Sequence, residues 1–256
     1  MAHEFRLLTT GAADAAYNMG TDEAILEAVA SGEALPTLRL YAWTPAAVSI
    51  GYFQGLREEV DTDACASRGI DIVRRITGGG AVFHQAEITY SIVLPETHPL
   101  AQRSILASYE RLCSGVVAGL SLLGIPAEFA PINDIVSGGR KVSGNAQTRR
   151  KACILQHGTV ILDLDVELMF EVLKVPAEKA KGKLIEDVKA RVTSLRACLG
   201  REVPFKESED ALSRGFAEAL DLAFVQKRTA LAATEAQRAR IIATEKFSDP
   251  AWTGKR

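Results

Sequence analysis

Arg74-Arg75-Ile76-Thr77-Gly78-Gly79-Gly80-Ala81-Val82-Phe83-His84 is the stretch on which the reading of this chain turns. The residues at 70–75 form a short apolar-rich run that predicts a strand leading into it. Three successive glycines have no side chain to pack and cost backbone entropy. Either the chain takes positive φ there or another group comes close to the backbone. N–H groups freed by such a loop can cradle an anion, and arginines beside it can meet that anion with forked donors. A phosphate or carboxylate site fits these residues, and so does a glycine turn flanked by two surface arginines. The Gly-Lys-[Ser/Thr] of a Walker A loop is missing, and no helix follows as a dinucleotide fingerprint would require.

Two further segments can carry chemistry. Asn133-Asp134-Ile135-Val136-Ser137-Gly138-Gly139-Arg140-Lys141-Val142-Ser143-Gly144-Asn145-Ala146-Gln147 holds a lysine between glycines. Such a lysine can act as a point charge on a phosphate or carboxylate. Asp134 is a candidate magnesium ligand. Taken by itself, the same segment also reads as an ordinary hairpin tip. Gln156-His157-Gly158-Thr159 lies inside an expected strand, where Gly158 suggests close approach of a backbone or ligand. Period two places His157 on the face of Cys153, Leu155 and Thr159, which points to a structural or binding role. Cys153 has no evident base or helix N-terminus beside it and reads as a buried, inert thiol.

Working outward, strands are expected at 4–10, 37–43, 47–51, 70–75 and 153–164. Residues 81–84 and 89–94 are expected to form the arms of one hairpin, and 133–145 a glycine-rich loop or hairpin. On 37–43, Leu38, Leu40 and Ala42 alternate with Arg39, Tyr41 and Trp43. Helices are expected at 13–30, 62–68, 104–123, 166–173, 176–188, 207–221 and 234–246. No regular βαβ alternation is visible, so the fold class is α+β, with a mixed, largely antiparallel sheet flanked by helices. No linker divides the chain, and residues 1–256 read as one catalytic domain with a small helical appendage near 166–223.

The chain has 256 residues, of which 47% are hydrophobic and 24% charged, an ordinary globular balance with length enough for a sizeable core. A formal charge of −2 gives no global basic field for nucleic acid. The four cysteines, Cys65, Cys113, Cys153 and Cys198, are widely and irregularly spaced, without a CxxC pair or a disulfide framework. The N-terminus lacks a signal-peptide pattern, and no apolar run approaches membrane-spanning length. A cytoplasmic location is the expectation.

Together these segments resemble the lipoate–protein ligase A family, within the biotin/lipoate protein ligase fold. The resemblance covers almost the whole chain. It runs from Ser49-Ile50-Gly51-Tyr52-Phe53-Gln54 through the triple-glycine segment, Thr89-Tyr90-Ser91, Asn133-Asp134, Gly139-Arg140-Lys141-Val142-Ser143-Gly144 and His157-Gly158-Thr159. It closes at Lys246-Phe247 and Trp252. The resemblance implies an ATP-dependent lipoate–protein ligase, which activates lipoate or octanoate as acyl-AMP and passes it to a lysine of a lipoyl-domain carrier protein. ATP and Mg2+ are the implied cofactors, with Asp134 as the metal ligand. Lys141 is the implied catalytic residue, set between carboxylate and α-phosphate, where it can stabilise developing charge on both. Implied ATP/adenylate contacts are Arg75, Gly78, Gly79, Gly80, Ala81, Val82, Phe83, Asn133, Asp134 and Lys141. Implied lipoate contacts are His84, Lys141, Gly144, His157, Gly158 and Thr159, with an apolar slot among 38–50, Val73 and 154–162.

Two departures bear on activity. The chain stops soon after Trp252, where long members carry a C-terminal accessory domain, so a separate small accessory subunit is expected. Related octanoyltransferases use a cysteine in the loop before the lysine motif. Here that loop reads Pro126-Ala127-Glu128-Phe129-Ala130-Pro131-Ile132, without cysteine. The ligase is therefore favoured. The alternatives are an octanoyl or lipoyl transferase working between carrier proteins without ATP, a biotin–protein ligase, and a non-catalytic lipoyl-adenylate binding module.

Overall fold

The computed structural model describes residues 2–174 and 181–255, and of 181–185 the backbone alone. In chain order the strands are β1 His3–Ala13, β2 Thr37–Trp43, β3 Ala47–Ile50, β4 Asp71–Arg74, β5 Val82–His84, β6 Glu87–Pro95, β7 Glu128–Ala130, β8 Asp134–Ser137, β9 Arg140–Arg150, β10 Cys153–Ile161 and β11 Leu222–Arg228. The helices are α1 Ala15–Ala30, α2 Leu56–Glu59, α3 Thr62–Arg68, α4 Ile105–Leu122, α5 Val166–Val172, α6 Lys181–Arg191, α7 Leu195–Leu199, α8 Phe205–Leu220, α9 Ala233–Ile242 and α10 Pro250–Thr253. A π-helical turn, Ala243–Phe247, continues α9.

Eight strands form one mixed sheet in the order β11-β1-β2-β6-β10-β9-β8-β7. β1 runs parallel to both its neighbours, and the remaining pairs are antiparallel. A second, three-stranded sheet has the order β4-β3-β5. The expected α+β class with a mixed sheet is what the molecule shows.

The strands form where the sequence alternates, but both faces of the large sheet are covered. On one face, Leu38, Leu40, Ile88, Ile92 and Ile154 pack with Leu112, Val116 and Leu120 of α4 and Leu212 and Phe216 of α8. On the other, Tyr41, Trp43, Val93 and Leu155 pack with Ile25, Leu26 and Val29 of α1 and Ala239 of α9. The alternation on β2 is thus not apolar-in and polar-out. Arg39 is 1% exposed because α1 lies over it and supplies Asp22 at 2.8 Å as its counter-charge.

Helix ends follow local chemistry. Asp14 caps α1 by accepting from Tyr17 N, and Asp61 caps α3 by accepting from Ala64 N. Each side chain satisfies one of the N–H groups a helix start leaves open. Gly69 ends α3 in the left-handed conformation.

Two expectations about chain path are corrected. The stretches at 81–84 and 89–94 are not arms of one hairpin. β5 pairs with β3 in the small sheet, whereas β6 sits between β2 and β10 in the large one. The reason is burial: Glu87 to Leu94 is buried at every position, so this strand belongs in the centre of a sheet covered on both faces. Residues 205–220, expected within a small helical appendage, belong to the main body instead. α8 lies directly on α4 and completes the main core through Leu212, Phe216 and Leu220. The two helices touch through glycines: a Cβ on Gly215 would sit 2.1 Å from the Gly119 nitrogen. α4 is long and apolar enough, by length and composition alone, to cross a membrane. Here its Tyr109, Leu112, Cys113, Val116 and Leu120 are buried in the core. The helix expected at 176–188 lies partly outside the described residues.

Candidate active site

Two clefts open where the sheets meet. The first is lined by Met19, Tyr41, Trp43, Ser49, Arg75, Gly79–Val82 and His84 on one side, and by Asn133, Lys141, Gly144–Ala146 and His157–Thr159 on the other. The second is more apolar, with Phe83, Ile161, Leu164, Met169, Leu173, Val188 and Val192 in its walls. They share Ala81, Val82, Lys141, Gly144 and Thr159. The three sequence segments therefore converge on one place, although β5, β9 and β10 come from distant parts of the chain.

Of the residues expected there, Arg75, Gly79, Gly80, Ala81, Val82, His84, Asn133, Lys141, Gly144, His157, Gly158 and Thr159 line the first cleft. Phe83 lines only the second, and Gly78 and Asp134 line neither. The apolar slot expected among 38–50, Val73 and 154–162 is only partly so placed. Leu38 and Leu40 face the α4–α8 core and Val73 the α1 core. Tyr41, Trp43 and Met19 form the apolar wall instead.

The triple glycine serves the fold as well as the cleft. Gly79 has φ of 97°, and a Cβ on Gly51 would lie 2.0 Å from the Gly79 carbonyl oxygen. Two backbone segments therefore touch, which explains both glycines. Gly80 has open space around it. Among the described residues, the N–H groups of Gly79 and Gly80 meet no acceptor.

The two arginines do different work, and neither presents an empty fork to an anion. Arg74 is fully buried and donates to the carbonyls of Gly51, Tyr52, Gln54, Trp252 and Thr253, tying the 51–54 turn to the C-terminal helix. Arg75 donates to Thr77 Oγ1, Ser49 O, Ser49 Oγ, Gly78 O and Gly80 O. All are neutral acceptors, and no carboxylate pairs with Arg75 among the described residues. Burial pushes its pKa down to about 10, so it keeps its charge at neutral pH and leaves the cleft electropositive.

From Arg75 two relays of matching design run outward. In one, Arg75 donates to Ser49 Oγ, Ser49 Oγ lies 2.8 Å from His84 Nε2, and His84 Nδ1 lies 2.7 Å from Glu87 Oε1. In the other, Arg75 donates to Thr77 Oγ1, Thr77 Oγ1 lies 2.7 Å from His157 Nε2, and His157 Nδ1 lies 3.3 Å from Asp22 Oδ2. Each hydroxyl accepts from the guanidinium and so gives its own proton to a histidine Nε2. Each histidine is then an Nδ1–H tautomer donating to a buried carboxylate.

Burial pushes the His157 pKa down, against an opposing pull from Asp22, and His157 stays neutral. Burial alone would raise Asp22, but the bond from His157 and the Arg39 guanidinium hold it below its ordinary value. Asp22 also accepts from Tyr41 and Ser91. Glu87 accepts from Thr89, whose oxygen takes the Trp43 indole N–H, and Trp43 stacks on His84 with centroids 4.0 Å apart.

Lys141 stands where the clefts join. Its Nζ is 2.7 Å from Asp134 Oδ1, and both side chains are partly exposed. A Cβ on Gly144 would lie 2.7 Å from that Nζ, so the glycine leaves the amine its path. Asp134, the expected metal ligand, has its carboxylate engaged by Lys141, and no cluster of three metal-ligating side chains occurs among the described residues. Gly158 is required by Asn145, whose Oδ1 would be 2.0 Å from an added Cβ. None of the cysteines lines either cleft. Cys153 is packed against Val93 and Leu155, and burial pushes its thiol up.

Sequence reading missed Glu87, Asp22 and Met19, and within the slot expected at 38–50 it did not single out Ser49, Tyr41 or Trp43. Asp22 had a signal, because it falls on the same α1 face as Ile25 and Val29, and an acid on an apolar helix face needs a buried partner. Ser49 had none: a serine in a short strand carries no mark of what it will touch.

Comparison with known proteins agrees with this fold. The family model described as the lipoyl protein ligase A/B catalytic domain matches residues 14–217. The octanoyltransferase LipM of Kyrpidia tusciae is 42% identical, with 84% of this chain and 87% of that protein covered. The octanoyltransferase LipM of Geobacillus kaustophilus is 35% identical with both chains covered in full. Among solved structures, the bi-partite lipoate protein ligase of Thermoplasma acidophilum, described with its E2 lipoyl domain, superposes with a TM-score of 0.88 at 32% identity, covering 98% of this chain and 97% of that one. Lipoate-protein ligase A bound with ATP gives 0.82 at 30%, with 99% of each chain covered. An enzymatic role within this family is thereby supported. The expectation of ATP-dependent ligation is overturned, because these near-full-length relatives are octanoyltransferases. The adenylate contacts expected of Arg75, Gly78–Phe83, Asn133, Asp134 and Lys141 were tied to that expectation, and the names of these relatives lend them no support.

Proposed function

The chain belongs to the lipoyl protein ligase A/B catalytic family, and from that premise we propose that it moves an octanoyl group from the thioester of a donor carrier protein to a lysine of a lipoyl-domain acceptor. The thioester C–S bond breaks, an amide C–N bond forms, and the donor leaves as a thiol. Activation is already present in the thioester, so ATP and Mg2+ have no step. The second polypeptide of the reaction is the donor carrier rather than an accessory subunit.

One observation carries this reading: two clefts meet at Lys141 beside a buried guanidinium that has no counter-anion among the described residues. The first cleft offers Met19, Tyr41 and Trp43 to an acyl chain, and the second offers apolar walls to an arriving carrier arm. At the junction, the positive charges of Lys141 and Arg75 and the N–H groups of the glycine loop favour an oxygen that turns negative as a thioester carbonyl is attacked. The names of the relatives supply the octanoyl group.

The test is intact-protein mass spectrometry of an unmodified lipoyl domain incubated with the enzyme and an octanoyl-thioester carrier. One octanoyl group should appear on the acceptor lysine. Absence of transfer from the thioester under any ratio of the two carriers would overturn the proposal.

A further inference from the structure

We propose that Ser49, His84 and Glu87 form a hydroxyl-based acyl-transfer triad and that the octanoyl group rests on Ser49 as an ester between donor and acceptor. The inference builds on the transferase reading above and names the group that carries the acyl chain within it. A two-step transfer needs a nucleophile at the cleft, and none of the cysteines lines either one. Ser49 and His84 both do.

The geometry is that of an activated hydroxyl. Ser49 Oγ is 2.8 Å from His84 Nε2, and His84 Nδ1 is 2.7 Å from Glu87 Oε1, both within the range a nucleophile, a base and an orienting acid require. Direction is fixed as well as distance. Arg75 Nη1 donates to Ser49 Oγ at 3.1 Å, so the serine proton has to point at His84. The same guanidinium lowers the energy of the developing alkoxide. Trp43, stacked on the imidazole, and Glu87, held by Thr89, keep the ring in place. The parallel set Thr77–His157–Asp22 has the same bonding, but Thr77 does not line the cleft. Of the two hydroxyl residues, only Ser49 lines the space where an acyl group can sit.

The steps balance. Ser49 Oγ attacks the thioester carbonyl while His84 Nε2 takes its proton. The C–S bond breaks, the proton passes from His84 to the leaving thiolate, and the octanoyl ester of Ser49 remains. The acceptor amine then attacks that ester and gives a proton to His84. The C–O bond breaks, the serine oxygen recovers the proton, and the amide departs. Lys141 and the loop N–H groups of Gly79 and Gly80 lie on the rim where the carbonyl oxygen turns negative.

The probe is an octanoyl-thioester carrier mixed with the enzyme alone, quenched in acid and digested with trypsin. An added octanoyl group is expected on the peptide Leu40–Arg57. It should resist neutral hydroxylamine and yield to alkaline hydroxylamine, as an oxygen ester does. Ser49→Ala should remove the adduct and slow transfer about 1000-fold. Ser49→Cys keeps a nucleophile at the same atom and should turn the adduct into one cleaved by neutral hydroxylamine, so the idea stays testable even if the alanine variant folds poorly. Cys153→Ser should keep the ester. Wild-type enzyme that transfers octanoyl but shows no adduct, with Ser49→Ala transferring at the wild-type rate, would remove the triad and leave the transferase reading intact. An adduct on another residue would also remove it. Wild-type enzyme that neither acylates itself nor transfers would remove the reading beneath it.

Discussion

His84 and His157 each take a hydroxyl proton at Nε2 and each turn Nδ1 toward a buried carboxylate, yet their carboxylates are held in unlike ways. Asp22, the partner of His157, accepts from Arg39, Tyr41, Ser91 and His157, and one of these donors is a fully buried cation. Glu87, the partner of His84, accepts from Thr89 and His84 and makes no ion pair with Arg or Lys among the described residues. The first arrangement locks α1 onto β2, β6 and β10. The second leaves a carboxylate whose main task is to orient one imidazole. Identical bonding at the histidine therefore serves architecture in one relay and chemistry in the other, and the carboxylate's surroundings tell them apart.

The sharpest way to break this comparison is Glu87→Gln. An amide can donate to His84 Nδ1 and force the wrong tautomer, so transfer should fall about 10⁴-fold while the melting temperature moves little. Steady-state rates with a thioester donor check it, and a large loss of stability without loss of rate would reverse the assignment. Asp22→Asn comes next and should act on the fold. It leaves Arg39 buried without its counter-charge, at a cost of about 3–5 kcal/mol in denaturant unfolding.

A third histidine sharpens the contrast, because it meets no carboxylate among the described residues. His98 accepts from Leu100 N through Nδ1, and burial, helped by nearby His3, pushes its pKa down to about 4. A histidine whose folded pKa lies below its unfolded value of about 6.5 gives stability that is full above the unfolded pKa and is lost as pH falls through the folded one. Melting temperature should therefore drop between about pH 6.5 and 4, with His157 adding to the same slope. His98→Asn keeps an acceptor but does not titrate, and should flatten part of it. The smallest effect is Ser91→Ala, which removes one of several donors to Asp22 and should cost about 1 kcal/mol.

Much of the fold was readable because it rests on local rules. The span of β2, the α3 helix ending at Gly69, and the absence of βαβ alternation all follow from period and turn chemistry. The glycine loop, Lys141 and the His157 strand were legible as a set because each breaks a local rule: glycine where packing would want side chains, a cation between glycines, a histidine on an apolar face. Ser49 and Glu87 broke none. Their meaning lies in pairing β3 with β5 and seating β6 between β2 and β10, which are long-range choices. Arg74 misled for the related reason that a buried arginine serving carbonyls and one serving a ligand are written with the same letter.

The most direct measurement sets two acyl sources side by side: an octanoyl-thioester carrier with ATP removed enzymatically, and free octanoate with ATP and Mg2+. In each, the lipoyl domain is followed by intact mass. The transferase account expects one octanoyl group on the acceptor lysine from the thioester alone, at a rate that ATP does not change. Modification that appears only from the free acid with ATP would contradict it.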